Sequence, residues 1–128
     1  MVRRPARTVG DRAEQRAEAF LVAEGLETLA RNFRCRMGEI DLVMRDRGSL
    51  VFAEVRFRAG RRIAPARVSV DARKQAKLLR TAALYLARHP RLSQLPVRFD
   101  VVAIDLDDRG RETVEWISDA FRPADASL

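Results

Sequence analysis

Gly38-Glu39-Ile40-Asp41-Leu42-Val43 and Val51-Phe52-Ala53-Glu54-Val55-Arg56, with Asp46-Arg47-Gly48-Ser49 between them, decide how this chain is read. Two apolar runs flank a turn-forming stretch, a pattern that predicts a β-hairpin. A two-residue loop pairs Asp46 with Ser49 and a four-residue loop pairs Arg45 with Leu50; both give one register. That register sets Asp41 opposite Glu54 and Glu39 opposite Arg56, and strand alternation puts all four on one face. A three-residue loop would slip the register and part the carboxylates. Directly opposed side chains have Cβ atoms roughly 4.5–5.5 Å apart, where like charges destabilise. An enclosed Asp41–Glu54 pair therefore needs an offsetting charge, and a divalent cation supplies it, because hard cations take carboxylate oxygens. On an open face water suffices, and Glu39 with Arg56 is an ordinary cross-strand ion pair.

Around this hairpin the chain has 128 residues, enough for one domain over 10–121 with a basic flexible arm at 1–9 and a flexible tail at 122–128. A hydrophobic content of 47% favours a globular chain over a disordered one. No apolar run approaches the roughly 20 residues of a membrane span, and the charged N-terminus lacks the apolar stretch of a secretory signal. Cys35 is the only cysteine, so no intrachain disulfide forms, which fits a reducing cytoplasm. It reads as a half-buried strand residue. His89, the only histidine, precedes Pro90 at an expected helix end and reads as a terminus residue rather than a base. Histidine-rich zinc sites and Ser-His-Asp chemistry are thereby disfavoured.

The net charge of +7 points to a polyanionic partner, nucleic acid before others. Of the 25 basic residues only Lys74 and Lys77 are lysines, a skew that suggests codon bias and weakens the count as an argument. Placement says more. Arg56, Arg58, Arg61, Arg62 and Arg67 crowd the end of the second hairpin strand and the loop after it, and Arg3, Arg4 and Arg7 form the N-terminal arm.

Elsewhere, Ala13, Ala17, Phe20 and Leu21 predict a helix over 10–24 that Gly25 ends. Glu14 borders its apolar side, and Glu18 is expected in solvent. Strands are expected at 28–36, 39–45, 50–58, 97–106 and 113–118, with Asp100 inside an apolar run. A loop at 59–68 leads to a second helix over 72–88, capped by Asp71, with Ala72, Ala76, Leu79, Ala83 and Leu86 as its buried face. Arg73, Lys74, Lys77 and Arg88 lie away from that face, solvated or against DNA. The order α-β-β-β-α-β-β predicts an α/β fold around a mixed central sheet.

The run Gly10-x-x-x-Glu14-x-x-Ala17, Ala30-Arg31-Asn32-x-Arg34, Gly38-Glu39-Ile40-Asp41-Leu42, Val51-Phe52-x-Glu54-Val55-Arg56-x-Arg58, Lys74, Ala83-x-Tyr85-Leu86 and Arg98-Phe99-Asp100-Val101-Val102 resembles the YraN-like family of uncharacterised bacterial proteins. That family is similar to the PD-(D/E)XK nucleases, with a restriction-endonuclease-like three-layer fold akin to Holliday-junction resolvases. The resemblance implies a metal-proximal Glu14, a metal ligand Asp41 and a Glu-x-Lys motif falling on Glu54-Val55-Arg56. Mg²⁺ or Mn²⁺ would then sit on Asp41 and Glu54, with the Val55 carbonyl as a further ligand and Glu14 reaching through water. Arg56 departs from the pattern: arginine stays protonated and its planar head places water differently, though it stabilises developing negative charge. Arg58, Arg61, Arg62, Lys74 and Lys77 are the expected phosphate contacts. Three functions follow: a metal-dependent DNA nuclease acting on branched or repair intermediates, a nucleic-acid-binding module that keeps the fold without turnover, and a protein–protein adaptor. A homodimer is compatible with each.

Overall fold

The computed structural model describes residues 8–59 and 71–122, the side chain of Ala59 excepted. Helix α1 (Val9–Ala23) is followed by strands β1 (Glu27–Cys35), β2 (Gly38–Asp46) and β3 (Ser49–Ala59), helix α2 (Ala72–Arg88), a 3-10 turn at Pro90–Leu92, and strands β4 (Val97–Leu106) and β5 (Glu112–Phe121). The order is the expected one. The boundaries of α2 and β4 agree with expectation, those of α1 and the first three strands differ by a residue, and β5 runs longer than 113–118.

The five strands form one sheet in chain order, β1-β2-β3-β4-β5. β3 and β4 are parallel, the other neighbours antiparallel. Parallel neighbours require a crossover, and α2 supplies it. Among the described residues each face of the sheet carries one helix, giving three layers. On the α1 side Ala13, Ala17 and Leu21 pack on Leu42, Met44, Val51, Ala53, Val102 and Ile104. On the α2 side Leu78, Leu79, Ala82 and Tyr85 pack on Val43, Phe52, Phe99 and Val101. Phe52, Phe99 and Phe121 stack in series across that face, with ring centroids 5.5 and 5.0 Å apart. Burying a large apolar side chain contributes about 1.5–3 kcal/mol, so these two layers hold the domain.

Local signals fix the helices. Thr8 caps α1 by accepting from the Asp11 N–H at 2.9 Å, and Gly25, at φ 102°, turns the chain out of the helix. Asp71 caps α2 by accepting from the Lys74 N–H at 2.9 Å. Two expectations about faces need correction. Glu18 is buried, not solvated: its carboxylate accepts from the Thr28 hydroxyl at 2.7 Å and Arg31 Nε at 2.8 Å. On α2, Ala72 and Ala83 are exposed, and the buried face turns instead to Leu78, Ala82 and Tyr85. Leucine and tyrosine offer far more apolar area than the alanines, and they set the rotation of the helix. Cys35 is half-buried. His89 caps α2 with its ring stacked on Tyr85 at 4.0 Å. Among the described residues, no helix is long and apolar enough to cross a membrane.

Candidate functional site

The hairpin forms with the two-residue loop: β2 and β3 pair from Asp46–Ser49 to Leu42–Ala53. The ladder stops there, one step before Asp41 and Glu54. Beyond it the Val55 N–H donates to Asp41 Oδ2 at 2.8 Å, so a side chain takes an amide that a strand would otherwise pair. On the other edge of β2, Arg31 pairs with Leu42 and Phe33 with Ile40, leaving Asn32 across from Asp41. Asn32 has a left-handed backbone, φ 51°, which asparagine tolerates better than most residues. The strands turn over at this point: Leu42 packs on the α1 side, whereas Ile40 packs on the α2 side. Residues two apart in a regular strand share a face. The break in alternation gives Asp41 its place between the layers.

Glu14 approaches from α1, held by Asn32 Nδ2 at 2.7 Å. Glu39 approaches from the start of β2, where it ion-pairs with Arg34. One carboxylate oxygen from each of Glu14, Glu39 and Asp41 lies within 4.8 Å of the others. Glu54 stands on β3, buried, with its Oε1 2.8 Å from Lys74 Nζ and 3.8 Å from Arg56 Nη1. Burial first, and then the charge of Glu54, push the Asp41 carboxyl up to about 8; Glu14 and Glu39 add to the rise and the Val55 N–H opposes it. Three carboxylates therefore act on the buried Asp41.

The geometry brings Glu14 and Asp41 together and sets Glu54 close enough to act on Asp41 by its charge. It adds Glu39, for which the sequence offered, on an open face, a cross-strand pair with Arg56. That pair does not form. Glu39 meets Arg34, its direct partner across β1 and β2, while Arg56 lies against Glu54. The reason is the early end of the β2–β3 ladder, which releases Glu39 from that register. A second tight turn at Arg36-Met37, pairing Cys35 with Gly38, was the available signal, since it sets Glu39 opposite Arg34. Lys74 reaches back to the sheet instead of standing clear of it, and Arg58 Nε lies 3.8 Å from Asp105 Oδ1, drawn down on to β4. Lys77 is exposed on α2, and Arg88 lies over the Phe33 ring at 5.8 Å. Arg3, Arg4, Arg7, Arg61, Arg62 and Arg67 fall outside the described residues.

The chain is a three-layer α/β domain with a mixed five-stranded sheet and a carboxylate cluster where the β2–β3 ladder ends. The chain belongs to the uncharacterised protein family UPF0102, the YraN-like family, whose model matches residues 13–104. It is 52% identical over 120 residues to a UPF0102 protein of Halorhodospira halophila, covering 94% of this chain and 92% of that one. It is 47% identical over 116 residues to a UPF0102 protein of Nitrosococcus oceani, covering 91% and 93%, and 42% identical over 118 residues to one of Alcanivorax borkumensis, covering 92% and 94%.

Proposed function

We propose that this protein is a metal-dependent nuclease that hydrolyses phosphodiester bonds of DNA, with branched or repair intermediates as the favoured substrates. The observation that carries the reading is the convergence of Glu14, Glu39 and Asp41 within 4.8 Å, with Asp41 buried and pushed up to about 8. Carboxylates crowded around one buried member carry a cost that a cation removes. The donor set is oxygen only, which fits Mg²⁺ or Mn²⁺ better than zinc. Glu14, Glu39 and Asp41 would hold the ion, with Glu54 beside them acting on Asp41 by its charge. A bound divalent ion neutralises phosphate charge and makes hydroxide accessible near neutral pH.

This chain's own residues do the rest. The Val55 N–H orients the Asp41 carboxylate, and Asn32 and Arg34 fix Glu14 and Glu39 from β1. Arg56, close to Glu54, places a permanent positive charge where negative charge develops on the phosphate. The basic surface, net +7 over the chain, supplies affinity for the backbone of the nucleic acid.

The test is cleavage of a panel of branched and linear DNAs with Mg²⁺ or Mn²⁺. Wild type is expected to cleave, faster with Mn²⁺, and Asp41→Asn to lose cleavage while holding DNA with nearly unchanged affinity. A second reading is favoured by Arg56, which stands where the nuclease motif has lysine: a nucleic-acid-binding module without turnover. DNA binding with no cleavage under either metal would select it, and absence of both would select the adaptor.

A further inference from the structure

The scarcity of lysine in this chain is uneven in space. Twenty-three of the 25 basic residues are arginine, and the two lysines both lie in the first two turns of α2. Lys74 Nζ is 2.8 Å from Glu54 Oε1. Lys77 stands over the start of β2, its Cβ 3.9 Å from where a Cβ on Gly38 would lie, one residue from Glu39. Lys74 meets Glu54 from α2 with an ammonium group and Lys77 follows one turn on; the chain's other side-chain cations are guanidinium.

The two head groups differ in what they can do. A guanidinium is planar and locks into a fork with a carboxylate, whereas an ammonium is a compact charge with three donors that can be shared among several acceptors. The arginines near the site are engaged with acids outside Glu54: Arg34 with Glu39, Arg31 with Glu18, Arg58 toward Asp105. Arg56 approaches Glu54 only to 3.8 Å. Lys74 gives one N–H to Glu54, and among the described residues no other acceptor takes the remaining two. Its backbone is fixed by the Asp71 cap, so the ammonium is presented from a rigid turn. Its side chain is 34% exposed, which leaves the head group open to a phosphate arriving from solvent.

We propose that Lys74 is a catalytic residue of the nuclease reaction, its ammonium bridging Glu54 and a non-bridging oxygen of the phosphate being cleaved; this rests on the nuclease reading above. In that step the water oxygen bonds to phosphorus and releases its proton to solvent. The bond from phosphorus to the sugar oxygen breaks, and that oxygen takes a proton from water. Lys74 donates hydrogen bonds throughout and keeps its own protons.

The experiment compares wild type with Lys74→Met, Lys74→Arg and the double variant Lys74→Met/Arg56→Lys. It reads Mn²⁺ affinity from the free-ion paramagnetic resonance signal and DNA cleavage in Mn²⁺. Lys74→Met is expected to bind Mn²⁺ at least as tightly as wild type, because Glu54 loses its ammonium, and to cleave with kcat lower by about 100-fold or more. Its KM for DNA stays within about threefold, the signature of an interaction made in the transition state. Lys74→Arg, which keeps the charge and guards against a misfolded methionine variant, is expected to fall short of wild type by about tenfold or more, because a forked head group does not replace a point charge. The double variant regains part of the lost cleavage by bringing an ammonium from β3. Wild-type cleavage by either single variant, weaker Mn²⁺ binding by Lys74→Met, or no recovery in the double variant overturns the role of Lys74 and leaves the nuclease reading standing. Absence of cleavage by wild type itself overturns both.

Discussion

At Asp41 the folded chain keeps a proton that the unfolded chain gives up near its ordinary value of 3.8, because burial and the charge of Glu54 push the folded carboxyl up to about 8. Between those values the native state binds more protons, so stability falls as pH rises. The loss begins above the unfolded value and is complete above about 8. With chelator present, urea melts are expected to show declining stability from pH 5 to pH 8. Asp41→Asn should flatten that decline and stabilise the metal-free protein at pH 8, since the amide oxygen still accepts from Val55 without carrying charge. A wild-type protein more stable at pH 8 than at pH 5 would contradict the enclosed cluster. Asp41 and Glu54 were legible as a pair because a two-residue loop fixes their register. Glu39 was not counted in the site because its partner is set by the neighbouring turn and by the parting of the strands, and neither shows in the apolar pattern of the hairpin.

Among the elements, β4 and β5 are tied together by one buried acid. Asp100 is fully buried and accepts from Arg98 Nε at 2.9 Å, Arg98 Nη2 at 3.0 Å, Trp116 Nε1 at 2.8 Å and the Asp119 N–H at 2.9 Å. Arg98 also reaches Asp46 at the β2–β3 turn, at 3.0 Å, so the network runs from β5 through β4 to the hairpin. Asp100→Ala strips four donors of their acceptor and leaves Arg98 short of a buried partner, at a cost of about 3–5 kcal/mol. The urea midpoint should drop with little change in slope, and a shift too small to measure would mean the network holds nothing. Sequence flagged Asp100 as an acid in an apolar strand but gave no partner, because Trp116 and Asp119 reach it only through the β4–β5 pairing. The rotation of α2 escaped for a different reason: alanines fit either side of a helix, and only packing against Phe52 and Phe99 decides that Tyr85 and Leu78 face in.

For the whole molecule, charge sets how it would meet a polyanion. Each phosphate neutralised on duplex DNA adds about −0.9 to the slope of log K against log salt. Affinity for DNA is expected to fall steeply between low and physiological salt. Replacing Arg61 and Arg62 together by alanine should flatten the slope by about 0.9 for each phosphate these arginines neutralise. An unchanged slope would remove Arg61 and Arg62 from the interface, and no binding at low salt would favour an adaptor. Fold class was the most legible property of all, since element order and apolar period agree across the described residues.

The parallel pairing of β3 with β4 also has a consequence in time. The turns β1–β2 and β2–β3 close over a few residues, on the microsecond scale of hairpins. β3 and β4 join Leu50 to Val97 across the whole of α2, so chain entropy is spent before that pairing stabilises anything. Docking of β4 is therefore the expected barrier. Val102→Ala, which thins the fully buried centre of β4, should slow refolding in stopped-flow experiments more than it speeds unfolding. Asp41 and Glu54 lie on a hairpin that closes locally, whereas Lys74 comes from a helix later in the chain. If the carboxylates meet each other before they meet that ammonium, a divalent ion in the refolding buffer should quicken the approach to the native state.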